Sequence, residues 1–164
     1  LPVTMFRFFT VYGPWGRPDM APMLFAKAIL AGKPIRVFNH GHMARDFTYI
    51  DDVVEGVVRV LRKPACSNHS FNKLDPDPAT SWCPHRVFNI GNSSPTQLLD
   101  FISALEVSLG RDAVMKFEPI QPGDVESTAA DTDLLEQWIG FRPNTLLSEG
   151  IQSFASWYLS FYES

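Results

Sequence analysis

The sequence has few of the features that mark secreted, membrane-spanning or nucleic-acid-binding proteins. Its 164 residues include two cysteines, too few for a disulfide framework, so free thiols and a cytoplasmic location are expected. No run of about 18 apolar residues is present, which argues against a membrane-spanning helix. The net charge of −4 argues against binding to nucleic acid or an anionic membrane, because both favour a basic excess. The first residues, LPVTMFRFF, lack the pattern of a secretory signal.

The cysteines lie near histidines, in the pairs Cys66–His69 and Cys83–His85. A structural zinc site needs four convergent ligands, and its pairs are typically separated by about two to four residues. The single residue between Cys83 and His85 is a poor spacing, and the sequence around both pairs is typical of a loop. We therefore predict no metal site.

Strand and helix patterns alternate along the chain, which is typical of an α/β domain. The near-continuous apolar run from residue 3 to residue 12 predicts a parallel strand that is buried on both faces. The segment from residue 63 to residue 85 lacks periodicity and predicts a long, variable, exposed loop. Further strands are predicted at 34–38, 44–50, 86–90 and 114–117, and helices at 20–31, 52–61, 94–109, 133–139 and 146–161. The strands are few, which fits a small lobe at the edge of a larger sheet.

Helix starts are predicted from capping residues. Asp19 is expected to cap the first helix, and the pattern Asp52-x-x-Glu55 resembles a capping box at the second. Ser94-Pro95-Thr96-Gln97 combines a capping serine with proline at the first helical position. We expect a helix to begin at each of these three places.

Candidate ligand-binding side chains lie in two places: at the end of the first predicted strand, and in a turn much later in the chain. Thr10 and Arg17 lie at or after the carboxyl end of the strand, where ligands bind in open α/β sheets. The alternative is an ordinary strand-to-helix turn with a solvated arginine. Asp124, in the turn Gln121-Pro122-Gly123-Asp124, is able to accept two ribose hydroxyls. It could equally bond its own backbone, which is the commoner case.

A third candidate segment is RDFTYIDD, which contains Arg45. Its guanidinium offers a planar fork that matches phosphate oxygens. Spacing alone favours a plainer alternative, a surface ion pair with Asp46 or Asp51. None of these groups decides the function by itself.

Taken in order, the motifs resemble those of the extended short-chain dehydrogenase/reductase family. They are RFFTVYGPWGRPDM, VFNHG, RDFTYIDDVVEGVVRVL, VFNIGNSSPTQLLDFISALE, QPGDVESTAADTDLL and GFRPNTLLSEGI. Within that family the sequence is most similar to the UDP-glucuronate 4-epimerases, and the resemblance covers nearly the whole of residues 1–164. It implies a Rossmann-type α/β fold in which the run at about residues 3–12 is the last Rossmann strand.

The resemblance also implies a role for individual residues. Arg45 would contact the diphosphate of a UDP-sugar, Asp124 the uridine ribose, and Phe38 the uracil ring. Thr10 and Arg17 would contact the sugar, with Arg17 suited to a C6 carboxylate. Tyr12 and Pro14 would face the nicotinamide of NAD.

Two motifs of the complete enzymes are absent from the sequence. No glycine-rich G-x-x-G-x-x-G loop is present, because Gly13-x-x-Gly16 continues to Asp19, and no tyrosine has a lysine four residues later. We therefore expect the C-terminal, substrate-binding portion of such an enzyme, without its N-terminal Rossmann part. This portion would bind a UDP-sugar, bind no NAD alone, contain no catalytic residue, and occur as a monomer or non-specific associate.

Other interpretations remain open from the sequence. The chain could be a stand-alone UDP-sugar-binding module, or a truncated gene product without function. Its sugar could also be that of another UDP-sugar epimerase or dehydratase, because the UDP-binding motifs are shared.

Overall fold

The computed structural model describes residues 1–162 and begins with two short strands. Strand β1 (Val3–Phe8) pairs in parallel with β6 (His85–Ile90), whereas β2 (Thr10–Tyr12) pairs in parallel with β5 (Phe47–Tyr49). The single strand predicted over residues 3–12 is therefore divided at Phe9.

Strand β1 is not buried on both faces, so that prediction is wrong. Val3 and Met5 lie on one face and are 42% and 51% exposed. Phe6 and Phe8 share the other face, where Phe6 packs against the cluster around Val53, Val60 and Phe88 and Phe8 is 54% exposed. The strand exposes an apolar face at Val3 and Met5 because nothing among residues 1–162 covers that side.

Two further strand pairs complete the β-structure of residues 1–162. Strand β3 (Ile35–Val37) pairs in parallel with β8 (Met115–Phe117), and β4 (Ala44–Arg45) pairs antiparallel with β7 (Thr96–Gln97). The predominance of parallel pairs joined by helices makes this an α/β fold, as predicted. The helices are α1 (Ala21–Leu30), α2 (Ile50–Leu61), α3 (Leu98–Leu109), α4 (Asp133–Ile139) and α5 (Leu147–Tyr162).

The main hydrophobic core lies where α1, α3 and α5 cover the strands β2, β3 and β5. Its largest completely buried side chains include Ile29, Phe101, Ile102, Leu105 and Phe154. A smaller cluster lies between α2, α4 and β6. The helices thus hold the carboxyl ends of β2 and β3 in fixed positions beside α1.

Helix ends agree with the sequence, but the three predicted helix caps, Asp19, Asp52 and Ser94, do not. Gly110 and Gly140 have left-handed backbones and end α3 and α4 as predicted. Asp52 is not a cap, because α2 begins at Ile50 and the Asp52 Oδ2 atom accepts N–H bonds from Asn144 and Thr145 at 3.1 and 2.9 Å.

The helix predicted from Ser94 begins later, at Leu98. Thr96 and Gln97 are extended instead, because they pair with Arg45 and Ala44 of β4. The Leu98 N–H then donates to the Met43 carbonyl at 2.8 Å, which continues the pairing into the first turn of α3. Tertiary pairing therefore overrides the local capping pattern.

The segment between α2 and β6 is a loop, as predicted. Asn68, Asn72 and Asp77 each accept an N–H bond from the residue two positions later, which gives the loop a series of tight turns. Cys66 and Cys83 are both exposed. Among residues 1–162 no three histidine, cysteine or acidic side chains are grouped as metal ligands, and no helix is long and apolar enough to cross a membrane.

Candidate functional site

A cavity of about 540 Å³ opens beside α1, between β3 and the junction of β4 and β5. This volume is in the range of small-molecule sites. One wall is apolar and includes Leu24, Phe25 and Phe47. Four of the five substrate-binding residues predicted from the sequence also line it: Thr10, Phe38, Arg45 and Asp124. The cavity therefore brings together residues that are up to 114 positions apart (124 − 10).

Strand pairing explains this convergence. Thr10 begins β2 and is paired with Phe47 of β5, just after Arg45. Phe38 follows β3, whose parallel partner β8 leads into the turn that contains Asp124. Gly123 adopts a φ of 89° in that turn, and the Asp124 N–H donates to the Gln121 carbonyl at 3.1 Å.

Asp46 fixes the backbone beside Arg45. Its carboxylate is completely buried and accepts N–H bonds from Asn92 (2.8 Å), Ser93 (3.0 Å) and Ala130 (2.7 Å). The Asp46 carbonyl also accepts from the Thr10 N–H at 3.2 Å. The surface pair between Arg45 and Asp46 is therefore excluded, and Asp46 instead ties together the segments around the cavity.

Arg45 is half-buried and reaches only backbone acceptors. Its Nη1 donates to the carbonyls of Ala44 (2.9 Å) and Glu126 (3.3 Å). No ion pair joins Arg45 to a carboxylate within residues 1–162, so the pair with Asp51 is also absent. Most of its N–H donors, and its charge, remain available to an anionic ligand in the cavity.

Phe38 is accompanied by an arginine that sequence reasoning missed. The Arg36 guanidinium lies 4.7 Å from the centroid of the Phe38 ring and also lines the cavity. Arg36 donates from Nε and Nη2 to Glu118 Oε2 at 2.8 and 2.6 Å, and this contact lowers the pKa of Glu118. The spacing Arg36-x-Phe38 within the strand predicted at 34–38 was the available signal, because alternate side chains of a strand share a face.

Arg17, the fifth predicted residue, does not line the cavity. Its Nε and Nη2 donate to Oδ1 and Oδ2 of Asp19 at 2.9 and 2.8 Å, and both side chains are exposed. This hydrogen-bonded pair lowers the pKa of Asp19 and raises that of Arg17. Asp19 lines the cavity and is not a helix cap, because the cap position of α1 is Met20.

The loop with Arg17 rests on α5 through Trp15. The Trp15 ring lies 5.4 Å from Trp157 and 4.9 Å from Phe161, centroid to centroid. Its backbone has a φ of 61°, which is uncommon for a residue other than glycine. This contact could not be predicted from the sequence, because it depends on how α5 packs.

Tyr12 and Pro14 occupy different environments. Tyr12 is 3% exposed, and its ring packs edge-on against Phe47 and Phe101, so burial raises its pKa. The Tyr12 side chain therefore belongs to the core, and its contact with NAD stays a prediction. Pro14 is half-buried in the following turn, where contact with NAD stays a prediction.

The first motif does not contain the glycine-rich turn of a Rossmann dinucleotide site. A Rossmann site holds the pyrophosphate on a glycine-rich turn at a helix N-terminus. In the first motif, Gly13-x-x-Gly16 continues to Asp19 instead of a third glycine, and the charged side chains of Arg17 and Asp19 are bonded to each other.

The chain is similar to known proteins in sequence and in fold. Residues 1–91 match the model of the NAD dependent epimerase/dehydratase family. The chain belongs to this family. It is 50% identical over 163 residues to Protein CapI of Staphylococcus aureus, covering 99% of the chain and 49% of that relative. It is 46% identical over 162 residues to the probable UDP-glucuronate 4-epimerase of Rhizobium meliloti (strain 1021), covering 96% and 47%.

Solved structures of the epimerase/dehydratase family share the fold. The UDP-glucuronic acid 4-epimerase of Bacillus cereus, in complex with UDP-glucuronic acid and NAD, aligns with a TM-score of 0.80 and 33% identity. The alignment covers 99% of this chain and 46% of that one. The chain thus spans about half the length of the curated relatives it matches.

Proposed function

We propose that this chain is the nucleotide-sugar-binding portion of an NAD-dependent epimerase, with UDP-glucuronate as the sugar nucleotide. The product would be UDP-galacturonate. The chain itself would supply binding without catalysis, because its sequence contains neither the glycine-rich loop nor the tyrosine–lysine pair. The relatives, which include a probable UDP-glucuronate 4-epimerase, support the reaction class.

The observation that carries the proposal is Arg45, which stands in the cavity without a carboxylate partner among residues 1–162. A guanidinium in that state is suited to a diphosphate, whose oxygens accept from its free N–H groups. Asp124, which also lines the cavity, provides acceptors for ribose hydroxyls. Phe38 and the apolar side chains of α1 provide surface against which a uracil ring packs.

Removal of Arg45 tests this assignment. In calorimetric titrations of the 164-residue chain, Arg45→Ala should weaken UDP binding about ten- to a hundredfold, as for other charge-assisted contacts. The matched control is Arg59→Ala on α2, because Arg59 is paired with Glu55 and borders a different cavity. The proposal fails if the parent chain binds no UDP, or if Arg45→Ala and the parent bind it equally.

A further inference from the structure

The guanidinium of Arg17 is already bonded to a carboxylate of the same chain, that of Asp19. Asp19 accepts from Nε through one oxygen and from Nη2 through the other, at 2.9 and 2.8 Å. A free sugar carboxylate would accept from a guanidinium in the same two-bond arrangement. Asp19 therefore occupies the place on Arg17 that a ligand carboxylate would take.

Of the two residues, only Asp19 lines the cavity. The Arg17 guanidinium is therefore within hydrogen-bond distance of a carboxylate that belongs to the cavity lining. A ligand carboxylate that reaches Arg17 from the cavity meets the like charge of Asp19. To contact Arg17, the ligand carboxylate has to replace the Asp19 carboxylate on the guanidinium.

The loop that holds the pair is anchored on both sides. Trp15 packs on Trp157 and Phe161 of α5, and the Met20 N–H donates to the Arg17 carbonyl at 3.1 Å. The backbone is therefore fixed, while the side chains of Arg17 and Asp19 are exposed by 72% and 68%. Exposed pairs of this kind are held weakly because water screens them, so they exchange partners at low cost.

We propose that Asp19 is a specificity residue that acts as an internal carboxylate, bonded to Arg17 until a sugar acid replaces it. This inference rests on the proposed function and adds a residue to it. A neutral sugar leaves the Arg17–Asp19 pair intact. A sugar with a C6 carboxylate takes over the Nε and Nη2 donors and releases Asp19 to solvent, with no bond made or broken other than hydrogen bonds.

Asp19→Asn tests the exchange by removing the competing charge. The 164-residue chain and the variant are titrated with UDP-glucuronate and with UDP-glucose at one salt concentration. Asp19→Asn should bind UDP-glucuronate about two- to fivefold more tightly, the range expected for an exposed ion pair. Its affinity for UDP-glucose should be unchanged.

Two further variants separate charge from other effects. Asp19→Glu keeps the carboxylate and should not increase the affinity for UDP-glucuronate. If its affinity increases as much as that of Asp19→Asn, the effect comes from a loosened loop and the inference is overturned. Glu55→Gln removes one charge from an exposed pair on α2 and should change neither affinity.

The outcomes distinguish this inference from the proposed function. If the parent chain binds neither nucleotide sugar, the proposed function fails and the exchange fails with it. If the parent prefers UDP-glucuronate and loses this preference in Arg17→Ala, the function stands. An unchanged or weaker affinity of Asp19→Asn for UDP-glucuronate would then overturn the exchange alone.

Discussion

At the scale of single residues, the buried carboxylate of Asp46 organises the surroundings of the cavity. It joins the β4–β5 junction to Asn92, Ser93 and Ala130 through hydrogen bonds to three N–H groups. Space around it is small, because a Cβ atom added to Gly91 would lie 3.0 Å from Asp46 Oδ2 and would collide with Ala130. The position of Arg45 thus depends on its neighbour in the sequence.

Asp46→Asn should destabilise the fold, because one of the two accepting oxygens becomes an N–H₂ donor that faces N–H groups. We expect the free energy of unfolding to fall by about 1–3 kcal/mol, the usual cost of leaving a buried polar group unsatisfied. Urea denaturation followed by circular dichroism measures the change. The exposed loop residue Asp75 provides the control, Asp75→Asn, which should have no measurable effect. Equal stability of the two variants would contradict this role of Asp46.

At the scale of secondary-structure elements, helix ends were predictable and strand partners were not. Gly110 and Gly140 end helices through a local preference of glycine for the left-handed region, which is visible in the sequence. The extended conformation of Thr96 and Gln97 is set instead by β4, some 50 residues earlier in the chain. The division of the first strand likewise follows from its two partners, because β1 pairs with β6 and β2 pairs with β5. The exposure of one face of β1 depends on which elements pack beside it.

Close contact between α5 and β2 occurs at Gly150. A Cβ atom there would collide with the Tyr12 hydroxyl oxygen and lie 2.8 Å from the ring carbon that bears it. Gly150→Ala should therefore lower the free energy of unfolding by about 1–2 kcal/mol, since overpacking outweighs the better helix propensity of alanine. Tyr12→Phe removes the hydroxyl and should recover part of the loss. Denaturation of the two single variants and the double variant measures this, and a more stable Gly150→Ala chain would contradict it.

At the scale of the whole molecule, the cavity is built by residues from distant segments. The resemblance to a known family placed Thr10, Phe38, Arg45 and Asp124 on a ligand, and these four line one cavity. Three contacts could not be predicted from the sequence. Arg36 with Glu118 and Trp15 with Trp157 depend on tertiary packing. The bond between Arg17 and Asp19 depends on side-chain geometry.

A second groove is an apolar alternative to this cavity. It has a volume of about 410 Å³ and is lined by residues that include Phe6, Val57 and Leu61, beside β1 and α2. It contains no charged side chain among its lining residues. A diphosphate would find no cation there, whereas Arg45 and Arg36 both line the larger cavity.

Chemical-shift mapping by NMR during a titration with UDP locates the nucleotide site on the chain. We predict that the largest shifts of backbone amide signals occur at Phe38, Arg45 and Asp124, and that they saturate together with one dissociation constant. Shifts concentrated at Phe6 and Val57, or no shifts at saturating UDP, would contradict the assignment of the cavity as a nucleotide-sugar site.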